Sequence, residues 1–252
     1  MEQLKVLIQE KYKGSPLLIG LQGMQGVGKT TLGVQMKTLF SQQNIQFDSI
    51  SIDDFYLSYL DREKLDKTKY KYRGPPGTHD YQMITNTLKS FKEGNSIEVP
   101  IFDKSLHNGQ GDRVGQKTIK CQVLLFEGWF VGYRSKCLQE FKQKQMPKLQ
   151  LNGKDYDENL EDFINDQLKL YEPIWEQFDL LIQLKPNPFE LSLKWRLEAE
   201  KEMRLKTGNG MSDEQIVDFV TFFWNCLHPL IYNELNCDLA IEVNEARQYK
   251  VL

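Results

Sequence analysis

A chain of 252 residues, 40% hydrophobic and 27% charged, is long enough to bury one sizeable α/β core without dividing into two. Lysine and arginine number 32 against 35 aspartates and glutamates, so the formal net charge of -3 supplies no overall positive field for nucleic acid or an anionic membrane. Cys121, Cys137, Cys226 and Cys237 form no CxxC pair and the three histidines lie far apart, which argues against a zinc site or a disulfide framework and favours a reducing compartment.

Residues 2–11, EQLKVLIQEK, place Leu4, Leu7 and Ile8 on one face and predict a short amphipathic helix. The stretch around it lacks the uninterrupted apolar region of a secretory signal, and no apolar segment is long enough to span a bilayer. Cytosol is the expected compartment, with the nucleus accessible by diffusion or with a partner. SPLLIGLQG, residues 15–23, reads as a buried strand running into a glycine-rich loop. The following TTLGVQMKTLF sets Leu32, Met36, Leu39 and Phe40 on one helical face.

A second strand is expected over residues 47–52, with Asp53 and Asp54 directly after it. Residues 61–73 carry many charges around a few tyrosines and meet RGPPGTHD (73–80), too rich in proline and glycine to continue a helix; an ordered surface segment is predicted. Residues 81–91 predict a helix, SIEVPIFDKS (96–105) a short strand and a loop, and QVLLFEG (122–128) a central strand whose charged end is Glu127. MPKLQLNGKDYDEN (146–159) reads as an inserted loop, LEDFINDQLKLYEPIWEQF (160–178) as helix, DLLIQLK (179–185) as strand, FELSLKWRLEAEKEMRLKTG (189–208) as a long polar-faced helix, and LAIEVN (239–244) as the last strand. Before that strand, Ser212 and Gln215 form a capping-box pair, and Ile216, Phe219, Val220, Phe223 and Trp224 make a buried stripe. The alternation of strands and helices predicts a mostly parallel α/β sheet, with no internal repeat or coiled-coil heptad.

Chemistry concentrates first in GMQGVGKTT (23–31). Gly23, four intervening residues, then Gly28, Lys29 and Thr30 have the spacing of a nucleotide-binding loop. Gly23, Met24, Gln25, Gly26, Val27, Gly28, Lys29, Thr30 and Thr31 offer backbone N–H groups, a cation for the terminal phosphates, a hydroxyl for Mg²⁺ and the positive end of a helix. An ordinary glycine-rich turn is the bland alternative, and the flanking strand and helix disfavour it. No Asn-Lys-x-Asp segment occurs and Glu127-Gly128 stands where a switch protein would offer Asp-x-x-Gly, so ATP is favoured over GTP.

Phosphoryl transfer needs an acceptor, and Asp53 stands at the carboxyl end of a predicted strand, where ligands of an open α/β sheet collect. Asp53 is the candidate to orient or deprotonate an acceptor hydroxyl, with Asp54 a weaker one; a helix-capping role is the alternative for each. Glu127, at the analogous end of the central strand, is the candidate to hold Mg²⁺ through water. Arg73, His79, Asp80, Asp103, Lys104, Asp112 and Arg113 supply mixed charge suited to a small polar acceptor, or else pin their own loops. Arg196, Arg204 and Lys206 can close over ATP as a lid; Arg196, Glu200 and Arg204 are equally spaced for a solvated salt-bridge ladder.

Together, GMQGVGKTT, SIDDFYL, RGPPGTHD, PIFDKSLHNGQGDR, LLFEGWFVGYR, LKWRLEAEKEMR and GNGMSDEQIVDFV resemble the P-loop glycerate kinase family and its fungal and protist ATP-dependent kinase branch, in the phosphoribulokinase/uridine kinase-like group. The motifs span most of residues 17–226; the phosphate loop is generic, whereas the other segments in combination are specific. The resemblance implies a three-layer P-loop nucleoside triphosphate hydrolase fold in one domain over residues 1–252, with acceptor segments near 56–82 and 100–115 and a helical lid near 190–212. It implies catalytic Lys29, Asp53 and Arg196, with Arg196 also on the nucleotide, and Thr30 and Glu127 on magnesium. Asp53, Tyr56, Arg73, His79, Asp80, Asp103, Lys104 and Arg113 would face the acceptor. For a plant-type enzyme the reaction would be MgATP plus D-glycerate giving ADP plus 3-phosphoglycerate. The start of the chain resembles no organellar transit segment, which argues against a plastid role. Another small hydroxylated metabolite is the alternative acceptor, and a nucleotide-regulated, non-catalytic interaction protein the alternative class; oligomeric state is not legible.

Overall fold

The computed structural model describes residues 2–14, 16–136, 158–208, 210–226 and 235–252. Helix α1 (Glu2–Lys11) precedes strand β1 (Leu17–Gly23), and α2 (Lys29–Ser41) precedes β2 (Phe47–Ser51). After α3 (Tyr59–Glu63) and α4 (Tyr81–Lys92) come β3 (Ile97–Asp103), β4 (Asp112–Ile119) and β5 (Val123–Gly128). α5 (Glu158–Leu168), α6 (Glu172–Trp175), β6 (Leu180–Pro186), α7 (Leu191–Thr207), α8 (Asp213–Cys226), β7 (Leu239–Val243) and β8 (Tyr249–Val251) follow.

Apolar runs such as LLIGL and VLLF have no polar face to leave in water, so both sides of their sheet must be covered. The main sheet runs β2-β5-β1-β6-β7-β8, with β7 and β8 antiparallel and every other pair parallel. Strand alternation distributes the core between two layers. Leu17, Ile19, Leu21, Val123 and Leu125 pack with Leu4, Leu32, Met36, Phe40 and Trp195. Leu18, Leu124 and Phe126 pack on the opposite side with Ile84, Leu88, Trp175 and Trp224. This is the three-layer, mostly parallel arrangement expected, and the carboxyl edge of its central strands carries the phosphate loop.

Local expectations hold where a single period or cap governs. Leu4 and Ile8 of α1 are buried, as are Leu32, Met36 and Phe40 of α2, while Leu7 and Leu39 are half-buried. The Ser212 N–H donates to Gln215 Oε1 at 2.8 Å and the Gln215 N–H to Ser212 Oγ at 3.2 Å, closing the capping box; Ile216, Val220, Phe223 and Trp224 are buried.

Two expectations change and one element is added. Residues 112–119, to which no element was assigned, form β4, which among the described residues pairs with β3 in a separate hairpin. Residues 114–118 of its sequence DRVGQKTI are exposed, and the strand lacks the apolar alternation that marks one in a sequence. The expected helix over 160–178 is two helices joined by a 3₁₀ turn at Lys169–Tyr171, with Pro173 in the first turn of α6, where its missing N–H does no harm. LAIEVN is not the last strand: β8 follows it, too short to carry a pattern. Residues 146–157 of the expected inserted loop lie outside the described residues.

Candidate active site

β1 ends at Gly23 beside Glu127 of β5, since Leu21 pairs with Glu127 and Gln22 with Gly128; Ser51 of β2 pairs with Glu127 from the other side. Parallel register thus brings the phosphate loop, Glu127 and the turn holding Asp53 to one edge of the sheet. Within the loop, Met24 and Val27 are buried in the core, so they offer a ligand backbone rather than side chains. Thr30 and Thr31 are exposed at the start of α2 and Gln25 is half-buried. Lys29 Nζ donates to Gly23 O at 2.8 Å and lies 3.6 Å from Glu127 Oε2. That Glu127 oxygen is buried and has no hydrogen-bond partner.

Asp53 and Asp54 start a 3₁₀ turn, Ile52–Phe55, capped by Ser51. Their two carboxylates diverge. Asp54 Oδ2 accepts from the Ser51 N–H at 3.0 Å, the capping role, and burial pushes its carboxyl up. Asp53 Oδ1 accepts from Tyr56 Oη at 2.7 Å and its Oδ2 from Lys104 Nζ at 2.8 Å. Burial alone would raise the Asp53 carboxyl, but the Lys104 ammonium and the bonds from Lys104 and Tyr56 outweigh it and hold it below its ordinary value. Asp53 is therefore ionised at neutral pH.

The acceptor-side residues gather around Tyr56. Its ring stacks on His79 at 4.6 Å and meets Phe102 edge-on at 5.0 Å, while Arg73 lies 5.8 Å from its centroid. Arg113 Nε donates to Tyr56 O at 2.7 Å and Nη2 approaches Asp80 at 3.4 Å. Asp80 caps α4 through the Met83 N–H at 2.9 Å, and Asp103 binds the Ser105 N–H and hydroxyl, so both pin local backbone. His79 is 2% exposed, and burial lowers its pKa from 6.5 to about 3. The hydroxyl oxygen of Tyr171 accepts from the Gly77 N–H at 2.9 Å and lies 3.2 Å from His79 Nδ1. His79 Nε2, also buried, has no hydrogen-bond partner among the described residues.

Other motif residues turn out to be packing. Trp129 Nε1 donates to Gly74 O at 2.9 Å and Trp175 Nε1 to Tyr133 O at 2.8 Å, so FEGWFVGYR fastens RGPPG to the core. Gly77 has φ +96°, and a Cβ there would lie 1.9 Å from Tyr70 Oη; only glycine fits. Arg196 pairs with Glu200 at 2.8 Å, but Glu200 is 1% exposed, so what the alternative reading took for a solvated ladder is a partly buried contact. Arg204 leaves that ladder, binding Met211 O at 2.8 Å and pairing with Asp213 across the turn into α8. Lys206 is exposed.

Two arginines escaped the sequence reading. Arg62 is buried and donates to Leu57 O, Gln110 O and Gly111 O, while Arg73 donates to Gly109 O and Gln110 O; the pair holds the closed end of the β3–β4 hairpin against Tyr56. Nothing in YLDREK distinguishes Arg62 from a surface charge. Arg247 reaches the phosphate loop from the far end of the chain.

A family model described as Phosphoribulokinase / Uridine kinase family matches residues 18–145. Uncharacterized kinase mug58 of Schizosaccharomyces pombe is 30% identical over 230 residues, 85% of this chain and 81% of that protein. The chloroplastic D-glycerate 3-kinase of Arabidopsis thaliana is 33% identical over 256 residues, 92% of this chain and 53% of that longer protein. A solved structure of D-glycerate 3-kinase from Cryptococcus neoformans is similar at a TM-score of 0.85 and 27% identity, over 100% of this chain and 98% of that one. The phosphate loop, a strand-end carboxylate facing it and these similarities lead to one conclusion: the chain belongs to the phosphoribulokinase/uridine kinase family and is a kinase that phosphorylates a hydroxyl group.

Proposed function

We propose that the acceptor is D-glycerate, phosphorylated by ATP to 3-phosphoglycerate. The observation that carries this reading is the ionised Asp53 carboxylate held between Lys104 and Tyr56, with Arg73 and Arg113 beside the same tyrosine. A hydroxyl can donate to Asp53 while a neighbouring carboxylate is held by cations, which a neutral sugar would not use. The acceptor oxygen attacks the γ-phosphorus, its proton passes to Asp53, and the bond to the β-phosphate oxygen breaks as ADP takes the electron pair. A carboxylate below its ordinary pKa is a weak base, but a loose transition state asks for alignment more than proton abstraction. Arg73, His79 and Arg113 would hold the acid and its hydroxyls, with Tyr56 and Lys104 fixing Asp53; Asp80 and Asp103 support their loops.

On the nucleotide side, residues 23–31 would hold the phosphates, with Lys29 moving from Gly23 O to the terminal phosphates and Arg196 shielding them from α7. Glu127 Oε2, which is buried, makes no hydrogen bond and lies 3.6 Å from Lys29 Nζ, and the hydroxyl of the exposed Thr30 are the oxygens that would hold Mg²⁺. When bound there, the ion would neutralise phosphate charge.

Purified protein is incubated with MgATP and a panel of hydroxy acids, sugars and nucleosides, measuring ADP and phosphorylated product together. The expected result is 3-phosphoglycerate from D-glycerate, reduced about 10²- to 10⁴-fold by Asp53→Asn. No product from glycerate but product from another alcohol would remove the named acceptor and leave the kinase.

A further inference from the structure

The turn between β7 and β8 is built tightly. The Asn244 side chain accepts from the Gln248 N–H at 2.9 Å and donates to Gln248 Oε1 at 3.0 Å, and the Arg247 N–H donates to Asn244 O at 2.9 Å. Arg247 sits at φ +61°, a left-handed conformation that glycine or asparagine would take with less strain. Its side chain offers a reason for arginine there. Nη1 donates to the carbonyl of Gly26 at the apex of the phosphate loop, Nη2 lies 3.6 Å from Glu198, and the guanidinium stacks 4.2 Å above the Trp195 ring. Lys194 pairs with Glu245 of the same turn, so one face of α7 is fastened to the hairpin at residues 194, 195 and 198.

A second observation comes from the loop itself. Gly26 has φ +80°, and a Cβ on it would lie 2.9 Å from Trp195 Cβ and 3.5 Å from the Arg196 nitrogen, so α7 abuts the apex directly. The Gly26 carbonyl belongs to the same planar peptide as the Val27 N–H, and in a trans peptide the two point in opposite directions. The Val27 N–H is directed across the loop to Met24 O at 3.2 Å. Arg247 therefore draws the carbonyl outward and leaves the N–H edge facing the loop interior. A free carbonyl could rotate inward and present its negative end to an anion.

We infer that Arg247 is a positioning residue for nucleotide binding: it fixes the Gly26–Val27 peptide with its donor edge inward and clamps the loop apex to the Trp195 face of α7. Arg247 acts through the loop and contacts no acceptor. The inference rests on the reading that residues 23–31 hold the phosphates of ATP.

The test is MgATP affinity by calorimetry for the wild type, Arg247→Ala, Arg247→Gly and Arg247→Lys, alongside urea unfolding without nucleotide and KM for the phosphorylated acceptor. Loss of a charge-assisted contact should weaken MgATP binding about tenfold in the Ala and Gly variants. Lysine, which keeps the charge but not the planar stack, should recover only part of it. Glycine relaxes the left-handed backbone, so its nucleotide-free stability should not fall below that of the alanine variant. Acceptor KM should stay within about twofold. Wild-type affinity in the Ala and Gly variants overturns the inference and leaves the proposed reaction standing. So does an affinity loss matched by an equal rise in acceptor KM and lowered stability, which would make Arg247 an anchor of the hairpin alone. Absence of MgATP binding by the wild type would overturn both readings.

Discussion

His79 behaves far from its free chemistry. Burial lowers its pKa from 6.5 to about 3, so between those values the unfolded chain binds a proton that the native protein refuses. Its contribution to stability is present above pH 6.5 and is lost as pH falls toward 3. The loss reaches about 2 kcal/mol near pH 5 for such a shift. Carboxylates held low in the native state, Asp53 among them, lose their own contribution in the same direction, so the measurement is differential. Urea unfolding at about pH 7 and about pH 5 should show His79→Gln losing about 2 kcal/mol less than the wild type. Equal losses would mean that the imidazole is protonated in the folded protein.

At the scale of elements, function depends on segments that regular structure does not fix by itself. The loop through residues 73–80 is held by the Trp129 indole on the Gly74 carbonyl and by the Tyr171 hydroxyl on the Gly77 N–H. Trp129 also packs edge-on against Phe130 and Phe223 at 5.3 and 5.1 Å, joining β5 to α8. Trp129→Phe leaves a buried carbonyl without its donor and a gap beside it, which should destabilise by about 2–4 kcal/mol in urea unfolding. Because the loosened loop carries Arg73 and His79, KM for the acceptor should rise while KM for ATP stays. The sequence showed RGPPGTHD as an ordered segment, but its anchors lie 55 and 94 residues away and no local pattern could point to them.

For the whole molecule, the phosphate loop joins the two halves of the sheet, with Gly23 at the end of β1 between β5 and β6. A ligand there binds only the folded chain. MgATP at about a hundred times its dissociation constant should add about 2.7 kcal/mol, a rise of roughly 5–10 °C in the thermal midpoint for a domain of this size. Lys29 donates to Gly23 O and Met24 O in its own loop and lies 3.6 Å from the buried Glu127 Oε2, so Lys29→Ala should melt somewhat below the wild type without nucleotide, because Glu127 loses its cation, and should lose most of the shift. A full shift in that variant would remove Lys29 from the phosphate site.

Local chemistry made the phosphate loop, the strand-end carboxylates and the aromatic stripe of α8 legible, because each depends on spacing within a few residues: glycines where the chain must curve, alternation for a buried strand, every third or fourth position for a helix. Which of the acceptor-side charges meet was decided only by tertiary structure. Asp53 and Lys104 are 51 residues apart and Gly26 and Arg247 are 221 apart; the first pair exists because the separate β3–β4 hairpin packs against the turn Ile52–Phe55, and the second because β7, parallel to β6, delivers its turn to the carboxyl edge of the sheet. Folding also separated residues that look alike in the string. Asp53 faces Lys104 and Tyr56 while its neighbour Asp54 caps a turn, since consecutive residues of a tight turn point in different directions. A carboxylate's type and order are written in the sequence; the charge beside it, and so its protonation, comes from the fold.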